Sequence, residues 1–395
     1  LRILFLSHRV PYPPNKGDKI RSFHEIKYFS RHHEIDLLSF CDNREELAYA
    51  EDLRKYCRSV SLIVLDHGIQ GVRALTAMLQ GKPWTLGYFS NPSMWAAIHE
   101  VLSAAPHDAV FVFSSSMAPY VASTGRISKL LDFVDSDASK WLQYCQFKSF
   151  PASWFYALEG KRLAEFERKM VQAFDASIFV STRDAGQLPD SECRAKMHIV
   201  QNGVDLEYFS VREPEEPSNT IIFTGAMDYF PNVDAVTFFV RSVFPLIRSN
   251  CPDAEFYIVG SHPTFDVRRL ENVPGVKVTG TVPDIRPFLA KSRVAVIPMR
   301  ISQGIQNKIL EAMASGLPVV TTPAVAAGLE STLGMPVAIA DDPRSIAARV
   351  VGFLREPLTT DQVAAGRKYL KQHYDWETNL SALDGLLNQI ISRQN

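Results

Sequence analysis

The chain has 395 residues, more than one hydrophobic core usually organises, so two domains are expected. Hydrophobic residues make up 46% and charged residues 22%, with 42 Lys and Arg against 43 Asp and Glu and a net charge of -1, a balance that describes a globular protein and gives no electrostatic case for nucleic acid. No basic run with interleaved aromatics follows a phosphate backbone, and the five cysteines, Cys41, Cys57, Cys145, Cys193 and Cys251, are too far apart and odd in number to indicate a disulfide framework or a zinc knuckle.

The opening LRILFLS is too short before His8 and Arg9 for the apolar region of a secretory signal, and no uninterrupted apolar stretch reaches bilayer length. The expectation is a cytoplasmic protein, with any membrane contact peripheral and at the inner face. Runs rich in Ile, Val, Leu and Phe then alternate with helical patterns: RILFLS at 2, EIDLLSF at 34, SVSLIVL at 59, AVFVF at 109, KLLDFV at 129 and ASIFVS at 176. Such runs read as parallel strands buried on both faces. After QNGVDLEYF at 201 the alternation restarts with NTIIFTG at 219, AEFYIVG at 254, VKVTG at 276, RVAVIPM at 293, LPVVTTP at 317 and PVAIA at 336. The fold class is therefore α/β with two doubly wound, Rossmann-like domains, 1–209 and 210–373, followed by a terminal segment 374–395. The boundary is placed near Phe209, and the acidic, proline-rich PEEPS at 214–218 reads as surface chain just after it.

Doubly wound sheets bind ligands outside the carboxyl ends of their strands, so the strand ends are where chemistry is sought. The first strand runs into SHRVPYPPNKGDKIRSF, where prolines forbid an early helix and Gly17 precedes a helical pattern. Lys16, Gly17 and Asp18 then lie over the sheet with helix-start amides available to an anion or a sugar hydroxyl. A surface turn whose glycine merely permits positive φ reads equally well. No GxGxxG follows any strand, so a dinucleotide fingerprint is absent.

QGIQNKILEAMASGLPVV at 303–320 carries the strongest signal. VAVIPMR is a strand leaving the sheet, ISQG is a loop, and NKILEAMASG is a helix closed by Gly316. A helix beginning near Gln306 and Asn307 offers free amides to a phosphate, and Lys308 adds a charge. Glu311 lies about 6 Å further along the axis, a span comparable with the step from phosphate to ribose, whose hydroxyl protons a carboxylate accepts. The alternative is a solvated face bearing Lys308 and Glu311 over a core of Leu310, Met313 and Ala314.

This stretch resembles the signature of family 4 retaining glycosyltransferases of the GT-B class, which carry one glutamate in the loop and a second on the helix. Glu311 matches the second, which in the family binds the nucleotide ribose; Gln303 replaces the first, which contacts the transferred sugar. PPNKGDKIR, QNGVD and FTGAMDYFPNVDAV extend the resemblance over almost the whole chain, and GDKIR, MDYFPN and GIQNK together look closest to bacterial sugar transferases of exopolysaccharide synthesis associated with exosortase systems. The resemblance implies two domains facing across a cleft, a nucleotide-diphosphate sugar held mainly by the second and a saccharide or lipid-linked saccharide acceptor by the first. It implies no cofactor and no metal: no HExxH and no close ligand cluster is seen, and VDSD at 134–137 contains a spaced acidic pair that the class does not generally use for metal.

The donor side implied in this way comprises Gly17, Gly225, Arg300, Gln303, Gly304, Gln306, Asn307, Lys308 and Glu311; the acceptor side comprises His8, Lys16, Asp18 and Arg21. The arginine and lysine that relatives place after the glycine matching Gly225 are missing from AMDYFPN, which leaves Arg300 and Lys308, with Arg286 less favoured, to meet leaving-group charge. Asp135 stands where relatives place a histidine near the reaction centre, although Asp132, Asp135 and Asp137 also suit turns and caps. Asp135, Gln303, Arg300 and Lys308 are thus the catalytic candidates. His8 reads equally as a structural histidine. Residues 140–174 mix aromatics with cations and suit either a membrane interface or packed helices with snorkelling stems. The terminal amphipathic helix is expected to pack across the domain junction. A nucleotide-sugar epimerase or hydrolase, and a noncatalytic sugar-nucleotide-binding module, remain as rival readings.

Overall fold

The computed structural model describes residues 1–188, 191–211 and 219–393. PEEPS at 214–218 lies outside them. The chain divides into two units, one formed by Leu1–Gln201 with Glu377–Asn395 and the other by Asn202–Trp376. Phe209 lies inside the second unit, and the terminal helix Trp376–Ser392 belongs, after its opening residue, with the first.

The first unit is built on β1 (Arg2–Ser7), β2 (Glu34–Cys41), β3 (Ser59–Val64), β4 (Ala109–Phe113), β5 (Ser128–Val134), β6 (Ala176–Phe179) and β7 (Met197–Ile199). They form a seven-stranded sheet in the order β3-β2-β1-β4-β5-β6-β7, and every pairing is parallel. Every residue of β4 and β6 is buried, as expected of strands covered on both faces by crossover helices. Phe5 stacks on Phe111 at 4.8 Å, and Leu4, Leu6, Leu38, Val110, Val112 and Leu131 fill the core. Each such side chain contributes about 1.5 to 3 kcal/mol of apolar burial.

The second unit repeats the plan with β8 (Thr220–Thr224), β9 (Glu255–Val259), β10 (Val276–Gly280), β11 (Val294–Ile297), β12 (Val319–Thr321) and β13 (Val337–Ile339). Its six-stranded parallel sheet runs β10-β9-β8-β11-β12-β13. In both sheets the order reverses direction once, between β1 and β4 and between β8 and β11. These are the switch points at which flanking loops diverge and leave a crevice.

The helical run Phe230–Arg248 has 19 residues and a mean hydropathy of 1.2, enough by length and composition to cross a membrane, but it is not an uninterrupted apolar stretch, since Asp234 and Arg241 lie within it. Half of it is buried within the second unit, where Phe239 packs on Phe256 of β9 at 4.5 Å, the arrangement of a core helix.

Candidate functional site

In the second unit, β8 is followed by Gly225, whose φ of 152° is strained for a residue with a side chain. The close approach is also steric: a Cβ at Gly225 would stand 2.7 Å from Asn232 Nδ2 and 2.9 Å from Lys308 Nζ, and one at Gly260 would meet the Gly225 carbonyl oxygen at 1.6 Å. Across the switch point, β11 passes through residues 298–306 into the helix Asn307–Ala314. Gly304 takes a φ of 61°, and its carbonyl is laid against Gly328, where a Cβ would come within 2.1 Å.

The helix buries Ile309, Leu310, Ala312, Met313 and Ala314 and turns Asn307, Lys308 and Glu311 away from that core, as three- and four-residue spacing requires. Gly316, with φ of 87°, follows its end as expected. At its start Gln306 is extended and gives no side-chain cap; its amide instead donates to the Gln303 carbonyl at 3.0 Å. The first amides of the helix therefore keep the positive end of its dipole uncapped by a side chain.

Lys308 reaches back to the end of β8. Its Nζ donates to Asn232 Oδ1 at 2.7 Å and lies 4.2 Å from the Phe223 ring centroid. Burial pulls its ammonium down to about 7, opposed by the negative charge of Glu311. Burial likewise pushes the Glu311 carboxyl up to about 7, opposed by Lys308. Glu311 is only half-buried by surface, and its carboxyl accepts no hydrogen bond among the described residues. The cation and the carboxylate lie one turn apart, each held at a cost that an anion and a hydroxyl pair respectively relieve.

The loop leading to this helix holds a concentration of unmet polar atoms. Ser302 Oγ, both side-chain polar atoms of Gln303, and Asn307 Nδ2 are buried without a hydrogen-bond partner among the described residues. Asn307 Oδ1 accepts from Asn202 Nδ2 at 2.9 Å, which fixes the amide so that its free nitrogen remains a donor. Buried polar atoms are nearly always satisfied, so several orphans side by side mark a place where a polar ligand completes the bonding.

Arg300 and Arg286 are occupied differently. The Arg300 guanidinium is exposed, forks onto Asp234 and lies 5.2 Å from the Phe238 ring, so a phosphate there competes with a carboxylate. Arg286 forks onto Asp284 and lies 4.0 Å from the Tyr208 ring centroid.

In the first unit, the residues after β1 and β5 stand at the corresponding edge of the sheet. The His8 ring stacks against Phe113 at the end of β4, with centroids 6.0 Å apart, and its Nε2 is 3.6 Å from Asp18 Oδ2. Its Nδ1 is buried and unpartnered among the described residues. Burial would raise the Asp18 carboxyl, but the neighbouring His8 ring and the Arg9 guanidinium, 2.9 Å away, hold it well below the usual carboxylate range. Lys16 is the extended residue before the helix Gly17–Phe29. Gly17 is not in the left-handed region, and a Cβ there would meet nothing within 4 Å, so open space rather than backbone strain accompanies this glycine.

Asp135 follows Val134, a β-branched residue at φ of 65°, a conformation costing about 1 to 3 kcal/mol and concentrated at functional positions. Burial pushes the Asp135 carboxyl up to about 7, reinforced by Asp137, Asp184 and Asp18 and opposed by Lys140. Asp137, by contrast, accepts from Lys140 at 3.0 Å and from Ser115 at 3.3 Å.

Arg21 is the residue whose surroundings depart most from the sequence expectation. Its side chain has no exposed surface, bonds Asp132 at 2.8 Å and the Val200 carbonyl at 3.0 Å, and lies 3.1 Å from Glu25. It ties its helix to β5 and to the chain after β7, and leaves no surface for an acceptor. Asn232, Ser302 and Asn202 escaped sequence reasoning, although FPN and QNGVD already stood out as motifs. Among the described residues, no group of three or more His, Cys, Asp or Glu side chains is placed to hold a metal ion.

Comparison with known proteins bears on the second unit most directly. Residues 218–356 match the family described as Glycosyl transferases group 1. No curated protein sequence matches the chain. Among solved structures, sucrose-phosphate synthase from Thermosynechococcus elongatus superposes with a TM-score of 0.73 at 14% identity, covering 100% of both chains. Anabaena HepE in complex with UDP gives 0.67 at 14%, covering 98% of this chain and 100% of that one. The α,α-trehalose 6-phosphate synthase of Burkholderia multivorans gives 0.66 at 13%, covering 100% of both. At these identities the likeness shows the fold, the two-sheet α/β architecture of the GT-B class. With the family match over 218–356, it supports a glycosyltransferase.

Proposed function

We propose that the chain is a retaining glycosyltransferase of family 4 that moves a sugar from a nucleotide diphosphate to a saccharide or lipid-linked saccharide, in the manner of exosortase-associated enzymes of bacterial exopolysaccharide synthesis. The observation that carries this reading is the convergence of Gly225, Asn232, Lys308, Glu311 and the orphaned atoms of Ser302, Gln303 and Asn307 beside one switch point, all inside the matched residues. Glu311 accepts the ribose hydroxyls, and the uncapped helix start and Lys308 take the diphosphate. The amides of Gln303 and Asn307 and the Ser302 hydroxyl take hydroxyls of the transferred sugar. Because Anabaena HepE has been crystallised with UDP and glucose, a uridine nucleotide is the first donor to try.

In the reaction, the bond from the anomeric carbon to the β-phosphate oxygen breaks and its electron pair stays with the diphosphate. An acceptor hydroxyl oxygen bonds to the same carbon, and its proton leaves for the departing phosphate. Negative charge grows on the diphosphate, which Lys308 and the helix amides stabilise without a metal. We assign the acceptor side to the first unit, with Asp135 orienting the attacking hydroxyl beside His8, Lys16 and Asp18. The reaction belongs in the cytoplasm, where activated sugars are kept.

A noncatalytic sugar-nucleotide-binding module is the second reading, favoured by the neutral Gln303 in place of a carboxylate. Purified protein is incubated with UDP-sugars with and without saccharide acceptors. Acceptor-dependent release of UDP is expected. UDP release that ignores the acceptor points to hydrolysis, interconverted UDP-sugar to an epimerase, and binding with neither to a module.

A further inference from the structure

Asp135 is half-buried and its carboxyl accepts no hydrogen bond among the described residues, so its backbone alone places it. That backbone is pinned on both sides. Before it, the amide of the strained Val134 donates to Asp132 Oδ1 at 2.7 Å, and Arg21 in turn donates to Asp132. After it, Ser136 caps the helix Asp137–Gln146, its Oγ accepting from the Ser139 amide at 3.2 Å. The same hydroxyl donates to Glu167 Oε2 at 2.8 Å, and Glu167 Oε1 accepts from the Ala138 amide at 3.0 Å. One carboxyl thus holds both the cap and the first turn of the helix, starting at the residue next to Asp135.

Glu167 belongs to the helix Ala152–Ala173, where Leu163, Glu167 and Val171 recur every four residues on one face and have no exposed surface. A third apolar side chain would serve packing there, whereas a buried carboxyl carries a desolvation cost. Burial pushes it up to about 8, reinforced by Asp137 and Asp135 and opposed by the bonds from Ala138 and Ser136. The two helices are pressed together nearby, since a Cβ at Gly160 would lie 2.7 Å from Leu142 Cγ and 3.0 Å from the Ala138 carbonyl oxygen. What the carboxyl supplies beyond packing is the pair of bonds to the turn that carries Asp135. We propose that Glu167 is a positioning residue for the transfer reaction: it fixes the turn at Ser136 and, through it, the direction in which Asp135 meets the attacking hydroxyl. This rests on the reading of Asp135 as the group that orients the acceptor.

The test reads both Asp135 and the reaction. Glu167→Leu keeps the apolar packing and removes both bonds. Glu167→Gln keeps a neutral group with one donor and one acceptor, which is what the carboxyl offers at pH 7. Carboxyl-carbon NMR, assigned with Asp135→Asn, follows the titration of Asp135, and UDP release from UDP-glucose is followed with octyl β-glucoside as acceptor. In Glu167→Leu the loosened turn admits water, so Asp135 titrates at least about one pH unit below its parental value of about 7. Acceptor-dependent turnover falls at least about tenfold, as for a displaced reactive group, while UDP affinity stays within about twofold. Glu167→Gln restores both readings, and Ser136→Ala, which removes one of the two bonds, moves them the same way by less. Glu167→Leu added to Asp135→Asn costs no more than about twofold beyond Asp135→Asn alone, a non-additivity that a general loss of structure does not give. Parental titration or turnover in folded Glu167→Leu, or in Ser136→Ala where Glu167→Leu does not fold, would overturn the inference and leave the Asp135 reading standing. Losses that multiply in the double variant, or no recovery in Glu167→Gln, would do the same. Parental turnover in Asp135→Asn would remove that reading and the inference with it.

Discussion

Replacing Lys308 by methionine keeps the length of the side chain and removes its charge, and its consequence is clearest in the pH dependence of nucleotide binding. In the free protein, burial holds the Lys308 ammonium at about 7, so near pH 7 it is half charged. A bound diphosphate supplies the anion that the site lacks and returns this group toward its ordinary value. Binding above pH 7 therefore takes up a proton. UDP affinity falls by up to tenfold per pH unit from about 7 upward, roughly 1.4 kcal/mol for each unit. Between pH 7 and 9 the limit is about 50-fold, or about 2.3 kcal/mol, because the free ammonium is already half lost at pH 7; it is reached if the bound ammonium stays charged throughout. Phosphate ionisation is largely complete above about pH 7 and does not supply this slope. Glu311, pushed up to about 7 and interacting with Lys308, titrates with it as a pair and bends the profile over below 7, where the ribose acceptor becomes protonated. Calorimetric titration of UDP at several pH values measures the slope, and buffers of different ionisation enthalpy count the proton. Lys308→Met binds more weakly at pH 7 and loses the slope above it. Parental affinity that is flat between pH 7 and 9, or the same slope in the variant, would refute the assignment of the diphosphate to Lys308.

Other outcomes follow from the same geometry. Gly225→Ala brings a Cβ within 2.7 Å of Asn232 and 2.9 Å of Lys308, so UDP affinity falls at least about tenfold in calorimetry with the fold retained; Gly260→Ala, set against backbone at 1.6 Å, destabilises by about 3 kcal/mol in denaturant titration. Gln303→Glu exchanges an amide for an acceptor-only group, so the ratio of kcat/KM among different UDP-sugars shifts by about tenfold while affinity for UDP alone changes little. Asp135 has a folded pKa raised to about 7 above an ordinary 3.8, so the stability it contributes is present at low pH and lost as pH rises through that window. Asp135→Asn removes this loss, so thermal melts show it more stable than the parent by about 1 to 2 kcal/mol at pH 8 but not at pH 4, while turnover falls.

The fold was legible in the sequence because most of its strands read as short apolar runs between helical patterns, even β3 and β13, which have no fully buried residue. β7 was missed because it is only three residues long, Met-His-Ile, with a histidine between its two apolar residues. Gly316 and the helix at 307 were legible for local reasons: a left-handed glycine and an apolar face belong to the segment itself. What the sequence did not reveal depends on distant partners. Lys308 finds Asn232 across 76 residues, and Asn307 finds Asn202 across 105. Arg21 illustrates the reverse: its place on GDKIR suggested a ligand, but Asp132, 111 residues away, makes it a buried tie between helix and sheet. Arg300 sits at a strand end as expected, and only the fold brings Asp234 to its guanidinium.

The central claim, that the helix Asn307–Ala314 presents a ribose-binding carboxylate, is tested most directly by titrating UDP into the parent and into Glu311→Ala and comparing affinities at pH 7.5. The carboxylate stands half-buried and accepts no hydrogen bond among the described residues, so the account predicts a folded variant that binds UDP more weakly by roughly 1 to 3 kcal/mol. Equal affinity for UDP in a folded variant would contradict it.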